Sequence, residues 1–183
     1  MCMHFLTYVF IPPQADIDIA VAAAMRPYGD DFPAKPWKRY LDVEEIAAMA
    51  KCLGVRKSAM RKLAERMEKW NASTGGVDAR GLYAVLTCNP DVKWDWYEIG
   101  GRWGGTGKLV FSALSLLRSA KKIFLPHDFV TPDGEWHARS RYVRTGWLNG
   151  RVIQKSEGRW RAEFSLALSS YPRHRVVCVD RHV

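Results

Sequence analysis

The chain has 183 residues, 48% apolar and 26% charged, which suits one domain with a substantial core and argues against disorder throughout. No run approaches the roughly 20 apolar residues that span a bilayer. The net charge of +9 is lopsided: from Arg139 onward ten Lys/Arg face three Asp/Glu, so that portion carries +7. Such a field attracts nucleic acid or an acidic protein surface, and otherwise serves as a solvated face.

In chain order, "HFLTYVFI" alternates well enough for a strand, ended by Pro12-Pro13. The start "MCMHFLTYVFIPPQ" lacks the basic region and cleavage site of a secretory leader. "DIDIAVAAAM" reads as a short helix capped by Asp16, and "PYGDDFPAKPWK" as a proline-rich loop. "DVEEIAAMAKCLG" carries Asp42 and Glu45 at capping-box spacing and Gly54 as a stop. "VRKSAMRKLAERMEKW" predicts a surface helix from Val55, with Met60, Leu63, Met67 and Trp70 as its apolar stripe. "NASTGGVDARG" reads as a flexible connection, and "LYAVLTC" as a strand.

Past the central motif, "GKLVFSALSLL" fits either a strand or a buried helix. Pro132-Asp133-Gly134 predicts the turn of a strand pair, because Pro presets φ and Gly accepts a positive one. "SEGRWRAEFSLALSSYP" predicts a helix with Trp160, Phe164 and Leu168 on one face, and "RVVCVDRHV" a closing strand. The fold class that follows is α+β, a single domain over 1–183. Its sheet is mainly antiparallel, includes both terminal strands and is packed by helices. The helical segment covers about 42–70 and the basic portion 139–183.

The four cysteines are dispersed and none stands in a C-x-x-C pair, against a disulfide framework or zinc ribbon. Cys88 and Cys178, in "VLTC" and "VVCV", are expected to be small buried thiols. Cytoplasmic residence is the corresponding expectation.

The chemistry concentrates in "KWDWYEIGGRWGG", residues 93–105. Asp95 and Glu98 supply carboxylates, and Arg102 a planar donor fork. Trp94, Trp96, Tyr97 and Trp103 supply flat walls on which a base can stack. The glycine pairs 100–101 and 104–105 allow positive φ and close backbone approach. His137 and the Asp180/His182 pair are candidates to converge there, making Asp95, Glu98 and His137 the catalytic candidates. The competing reading is a bulged turn whose tryptophans are core and whose Arg102 pairs with Asp95 or Glu98. Asp180 and His182, two apart on a strand, share a face. A third ligand in His137 would make a metal site, but a hydrogen-bonded strand pair is the favoured account, so neither metal nor cofactor is expected. "GGRWGGTGK" lacks the order of a phosphate loop, and no dinucleotide fingerprint or nucleophile elbow occurs.

Four pieces, "HFLTYVFIP" with "RPYGDD", "WDWYEIGGRWGG", "TPDGEWH" and "VVCVDRHV", together resemble an uncharacterised family of small bacterial and phage proteins. That family carries no established activity. The chain departs from it at Arg181, where a Cys is common between the Asp and the His, and in the arginine-rich "ARSRYVRTGWLNGR". The resemblance gives relatedness and not function. Together with the small size, the basic asymmetry and the absence of a catalytic signature, it leads to the expectation of a phage or mobile-element protein that docks without catalysis on a host protein or nucleoprotein complex. One such role is an anti-CRISPR-like inhibitor of host defence, acting in the host cytoplasm. Two alternatives stand beside it. One is a small enzyme acting on a nucleotide-like or phosphorylated ligand. The other is an RNA- or DNA-binding protein using Arg139, Arg141, Arg144, Arg151, Arg159 and Arg161.

Overall fold

The computed structural model describes residues 3–71, 74–106, 110–119, 124–144 and 150–183, without the side chains of 69–71, 104–106, 142–144 and 150. β1 (His4–Ile11) is the expected first strand, and α1 (Ile17–Met25) begins where the Asp16 side chain accepts the Ile19 N–H. The proline-rich stretch contains β2 (Trp37–Tyr40), which local composition hides. α2 (Val43–Cys52) has the full reciprocal capping box, and Gly54 follows it at φ 63°. α3 (Met60–Asn71) starts at Met60 and not at Val55. Leu63 and Met67 of its stripe are buried, whereas the Trp70 side chain lies outside the described residues.

The glycine-rich connection forms β3 (Gly75–Asp78), followed by β4 (Gly81–Leu86). β5 (Trp96–Ile99) lies inside the central motif and runs into a 3-10 turn over Gly101–Thr106. The ambiguous "VFSALSLL" is both things: β6 (Val110–Ser112) becomes α4 (Ala113–Arg118) at Ser112, whose side chain accepts the Ser115 N–H. β7 (Asp128–Val130) and β8 (Trp136–Ala138) form the expected hairpin, with Gly134 at φ 84°. β9 (Ser140–Arg144) and β10 (Gly150–Gln154) pair as a ribbon, α5 (Glu157–Ser170) carries the Trp160 face, and β11 (Arg175–His182) closes the chain. No helix among the described residues is long and apolar enough to cross a membrane. The class is α+β with mostly antiparallel sheets, and β1 with β7 is a parallel exception.

The chain divides into two compact units. The smaller comprises Pro33–Pro90 and Tyr142–Arg151. Its sheet, in the order β2-β4-β3, buries Leu82 and Ala84 together with Met49 of α2 and Leu63 and Met67 of α3. Cys88 is exposed, against the expectation of a buried thiol, because β4 ends at Leu86 and Cys88 lies beyond the sheet.

The larger unit holds the sheet β5-β11-β1-β7-β8, with β6 sharing the β5 edge of β11. The terminal strands pair along their full length, from His4 opposite His182 to Ile11 opposite Arg175. Strand alternation then sorts β1 and β11 into two buried faces. Leu6, Tyr8, Phe10, Val176 and Cys178 face Leu116 of α4 and Trp160, Phe164 and Leu168 of α5. Val9, Ile11, Val177 and Val179 pack with Val21 and Met25 of α1. Fully burying a side chain such as Phe164 or Leu168 contributes about 1.5–3 kcal/mol, which fixes the strand register firmly. At the end of the first face the pattern continues into His4, Asp180 and His182, where polar groups replace the core.

Candidate functional site

The central motif acts as a clasp over this polar corner. Trp94 anchors one side: its Nε1–H donates to the Met25 carbonyl at 3.0 Å, and its ring meets Tyr97 edge-on. β5 then pairs with β11, setting Trp96 opposite His182 and Glu98 opposite Asp180. Gly100 and Gly101 turn the chain at φ 78° and 45°. A Cβ on Gly101 would lie 2.4 Å from the Cβ of Asp180, so only glycine lets the turn sit on that strand. The Arg102 N–H consequently donates to Asp180 Oδ2 at 3.2 Å, and the Arg102 Nε lies 3.3 Å from the same oxygen. Trp103 closes the clasp against the core, its ring 5.7 Å from that of Phe124.

Two imidazoles meet under this clasp. His4 Nδ1 is 3.0 Å from Asp180 Oδ1, and His182 Nδ1 is 2.7 Å from Asp95 Oδ1. Each carboxylate accepts, so each Nδ1 carries the hydrogen and each Nε2 is the position left for chemistry. No described residue hydrogen-bonds either Nε2. The ring centroids are 5.2 Å apart, both rings are partly exposed, and Trp96 lies 6.1 Å from His4 and 6.5 Å from His182. The carboxylates differ in setting. Asp180 is buried and shared with Arg102, whereas Asp95 is half-exposed. The His182 hydrogen bond holds Asp95 below the usual carboxylate range, so it remains an anionic partner in mildly acidic solution. The Arg102 side chain is 55% exposed, leaving its outer donors open to an anion.

Several expected roles change. Arg102 pairs with Asp180, not with Asp95 or Glu98, because the glycine turn places it over β11. Asp180 and His182 do share a face, yet each engages a different partner, His4 and Asp95 respectively. His137 does not join them: β8 is separated from β11 by β7 and β1. It stacks on Phe129 at 4.5 Å and its Nδ1 lies 3.2 Å from Glu163. Burial raises the Glu163 pKa, but hydrogen bonds from Lys155 and His137 outweigh it, leaving Glu163 below the usual range. Glu98 is exposed beside Asp180. Of the three tryptophans, Trp96 is exposed, while Trp94 and Trp103 pack against apolar clusters. No group of three His, Cys, Asp or Glu suited to a metal occurs among the described residues.

The basic residues separate. Arg139, Arg141 and Arg159 line one cavity of about 420 Å³ with Lys155. Arg161 pairs with Glu157 at 2.9 Å, Arg151 is exposed in the smaller unit, and the Arg144 side chain lies outside the described residues. Arg181 is buried and not a surface feature. It binds Asp128 and the Lys93 carbonyl, with its guanidinium over the Phe5 ring.

His4 escaped the sequence reading. The signal was the expected pairing of the terminal strands, which in this register sets His4 opposite His182. Comparison with known protein families, curated proteins and solved structures finds no match for the chain.

Proposed function

We propose that the His4–His182 corner is an acid–base site for phosphodiester transfer in single-stranded RNA. The observation that carries this reading is the pair of carboxylate-held imidazoles with ring centroids 5.2 Å apart beside an exposed arginine. RNA brings its own nucleophile, the 2′-hydroxyl. Its cleavage therefore needs a base for that proton, an acid for the departing 5′-oxygen and a cation on the phosphoryl oxygens. One imidazole Nε2 accepts the proton, the other supplies one, and Arg102 stabilises the charge that develops between them. Trp96 offers a stacking face to an unpaired base, and the net charge of +9 favours a polyanionic substrate.

The test is incubation of the purified protein with an oligoribonucleotide and with its all-deoxy counterpart. Only the ribonucleotide is cut, leaving a 2′,3′-cyclic phosphate end. Arg102→Ala slows the cut by about 100-fold, the scale expected for a lost charge-stabilising donor. Equal cleavage of the deoxy strand, or none of either, rejects the reading.

A second reading, docking on a host nucleoprotein such as a CRISPR effector, draws support from the exposed Arg141 and Arg159 and from the family resemblance. It predicts a host complex captured from lysate. The affinity of that complex has a log–log salt slope that flattens by about one for each phosphate-contacting arginine removed. Capture that survives nuclease treatment assigns the contact to protein, and salt-insensitive binding rules out the arginines.

A further inference from the structure

A second constellation lies at the start of β7 and of β9. Ser140 Oγ is 3.0 Å from His127 Nε2, and His127 Nδ1 is 3.0 Å from Asp128 Oδ2. Nδ1 faces Asp128 Oδ2 at 3.0 Å and, more distantly, the Arg181 Nη2 at 3.5 Å; with the closer carboxylate accepting from Nδ1, the His127 Nε2 is the acceptor for the Ser140 hydroxyl proton. This is the connectivity that makes serine a nucleophile: hydroxyl, base, orienting carboxylate.

The supports of the relay are fixed. Asp128 is 1% exposed, and Arg181 donates to the same Oδ2 through Nε at 2.8 Å and through Nη2. The His127 ring packs on Phe5 at 4.3 Å, while the residue's backbone N–H donates to the Leu6 carbonyl and its backbone carbonyl accepts the Arg139 N–H. Ser140 lines the cavity of about 420 Å³ together with Arg139, Arg141, Lys155 and Arg159. Lys155 is committed to Glu163 at 2.8 Å, whereas the buried Arg139 Nε has no hydrogen-bond acceptor among the described residues.

We infer that Ser140 is the nucleophile of a second, acyl-transfer site whose substrates are carboxylic esters bearing an anionic group. Ser140 Oγ bonds to the ester carbonyl carbon while its proton passes to His127 Nε2. The carbon–oxygen bond to the alcohol then breaks, and that proton leaves with the alcohol. Water attacks the acyl-serine, its proton passing to Nε2 and on to Ser140, and the acid departs. The arginines of the cavity hold the anionic end of the substrate. This inference does not depend on the RNA reading.

The test uses the full chain and two probes. A fluorophosphonate labels Ser140, one per chain, with fluoride leaving. Ser140→Ala melts like the parent and takes no label, and His127→Gln slows labelling by about 100-fold or more. 4-Nitrophenyl hydrogen glutarate is hydrolysed at least about tenfold faster than the neutral 4-nitrophenyl pentanoate, and Arg141→Ala with Arg159→Ala removes the preference. Labelling that is absent, or that persists in Ser140→Ala, overturns the inference. So does a preference that survives the arginine changes, or Ser140-dependent turnover of bis(4-nitrophenyl) phosphate in place of the esters. His4→Asn and His182→Asn leave the labelling unchanged, which keeps the two sites experimentally separate.

Discussion

Replacing either histidine of the corner, as His4→Asn or His182→Asn, lowers RNA cleavage by about 10²–10⁴-fold, the range of a lost general acid or base. Asparagine can still offer an N–H to the carboxylate that holds the ring, so folding should be retained in both. The double variant should cost much less than the product of the singles, because the two rings act as a unit in one transfer step. The neighbouring carboxylates predict a further split. Asp95→Asn removes a half-exposed partner and acts mainly on rate. Asp180→Asn disturbs a buried group shared by His4, the Arg102 backbone and its guanidinium, and acts on folding too. Rates measured beside denaturant midpoints check both. Equal activity of the parent and the His182 variant would remove the ring from the chemistry.

Gly101→Ala is expected to be the most damaging single methyl in the larger unit. The new Cβ meets the Asp180 Cβ at 2.4 Å and is held at φ 45°, so two costs combine. The left-handed backbone costs about 1–2 kcal/mol for a residue with a Cβ. Separating the turn from the central strand β11 raises the expected total to about 3–5 kcal/mol. Gly134→Ala is the matched control. Its φ is also positive, at 84°, but its Cβ would meet nothing within 4 Å, so only the backbone cost of about 1–2 kcal/mol remains. Equilibrium denaturation of the two variants gives the difference directly. Equal losses would mean that the turn does not depend on close approach to Asp180. Activity should follow the same order, because lifting the turn withdraws Arg102 from the corner.

Sequence by itself determined the elements whose physics is local. Asp16, the Asp42–Glu45 capping box, the stop at Gly54 and the Pro132-Asp133-Gly134 turn all act within a few residues, and each is found as expected. The alternation of β1 and β11 likewise announced two terminal strands, and their uniform burial follows from central positions in the sheet. The short strands β2, β3, β9 and β10 were not legible, since their pairing partners, and not their own residues, make them strands.

Both candidate sites belong to the second category. His4 and His182 are separated by nearly the whole chain and become neighbours only through the β1–β11 register. His127 and Ser140 meet only because the β7–β8 hairpin brings the chain back beside itself. The motif "KWDWYEIGGRWGG" offered Asp95, Glu98, Arg102 and its tryptophans without distinguishing them, and the partners of Asp95, Arg102 and Trp96, namely His182, Asp180 and His4, come from the chain ends. Local sequence specifies which groups a segment can offer. Which groups meet is set by strand register, and register is fixed by burying the apolar faces of the whole sheet.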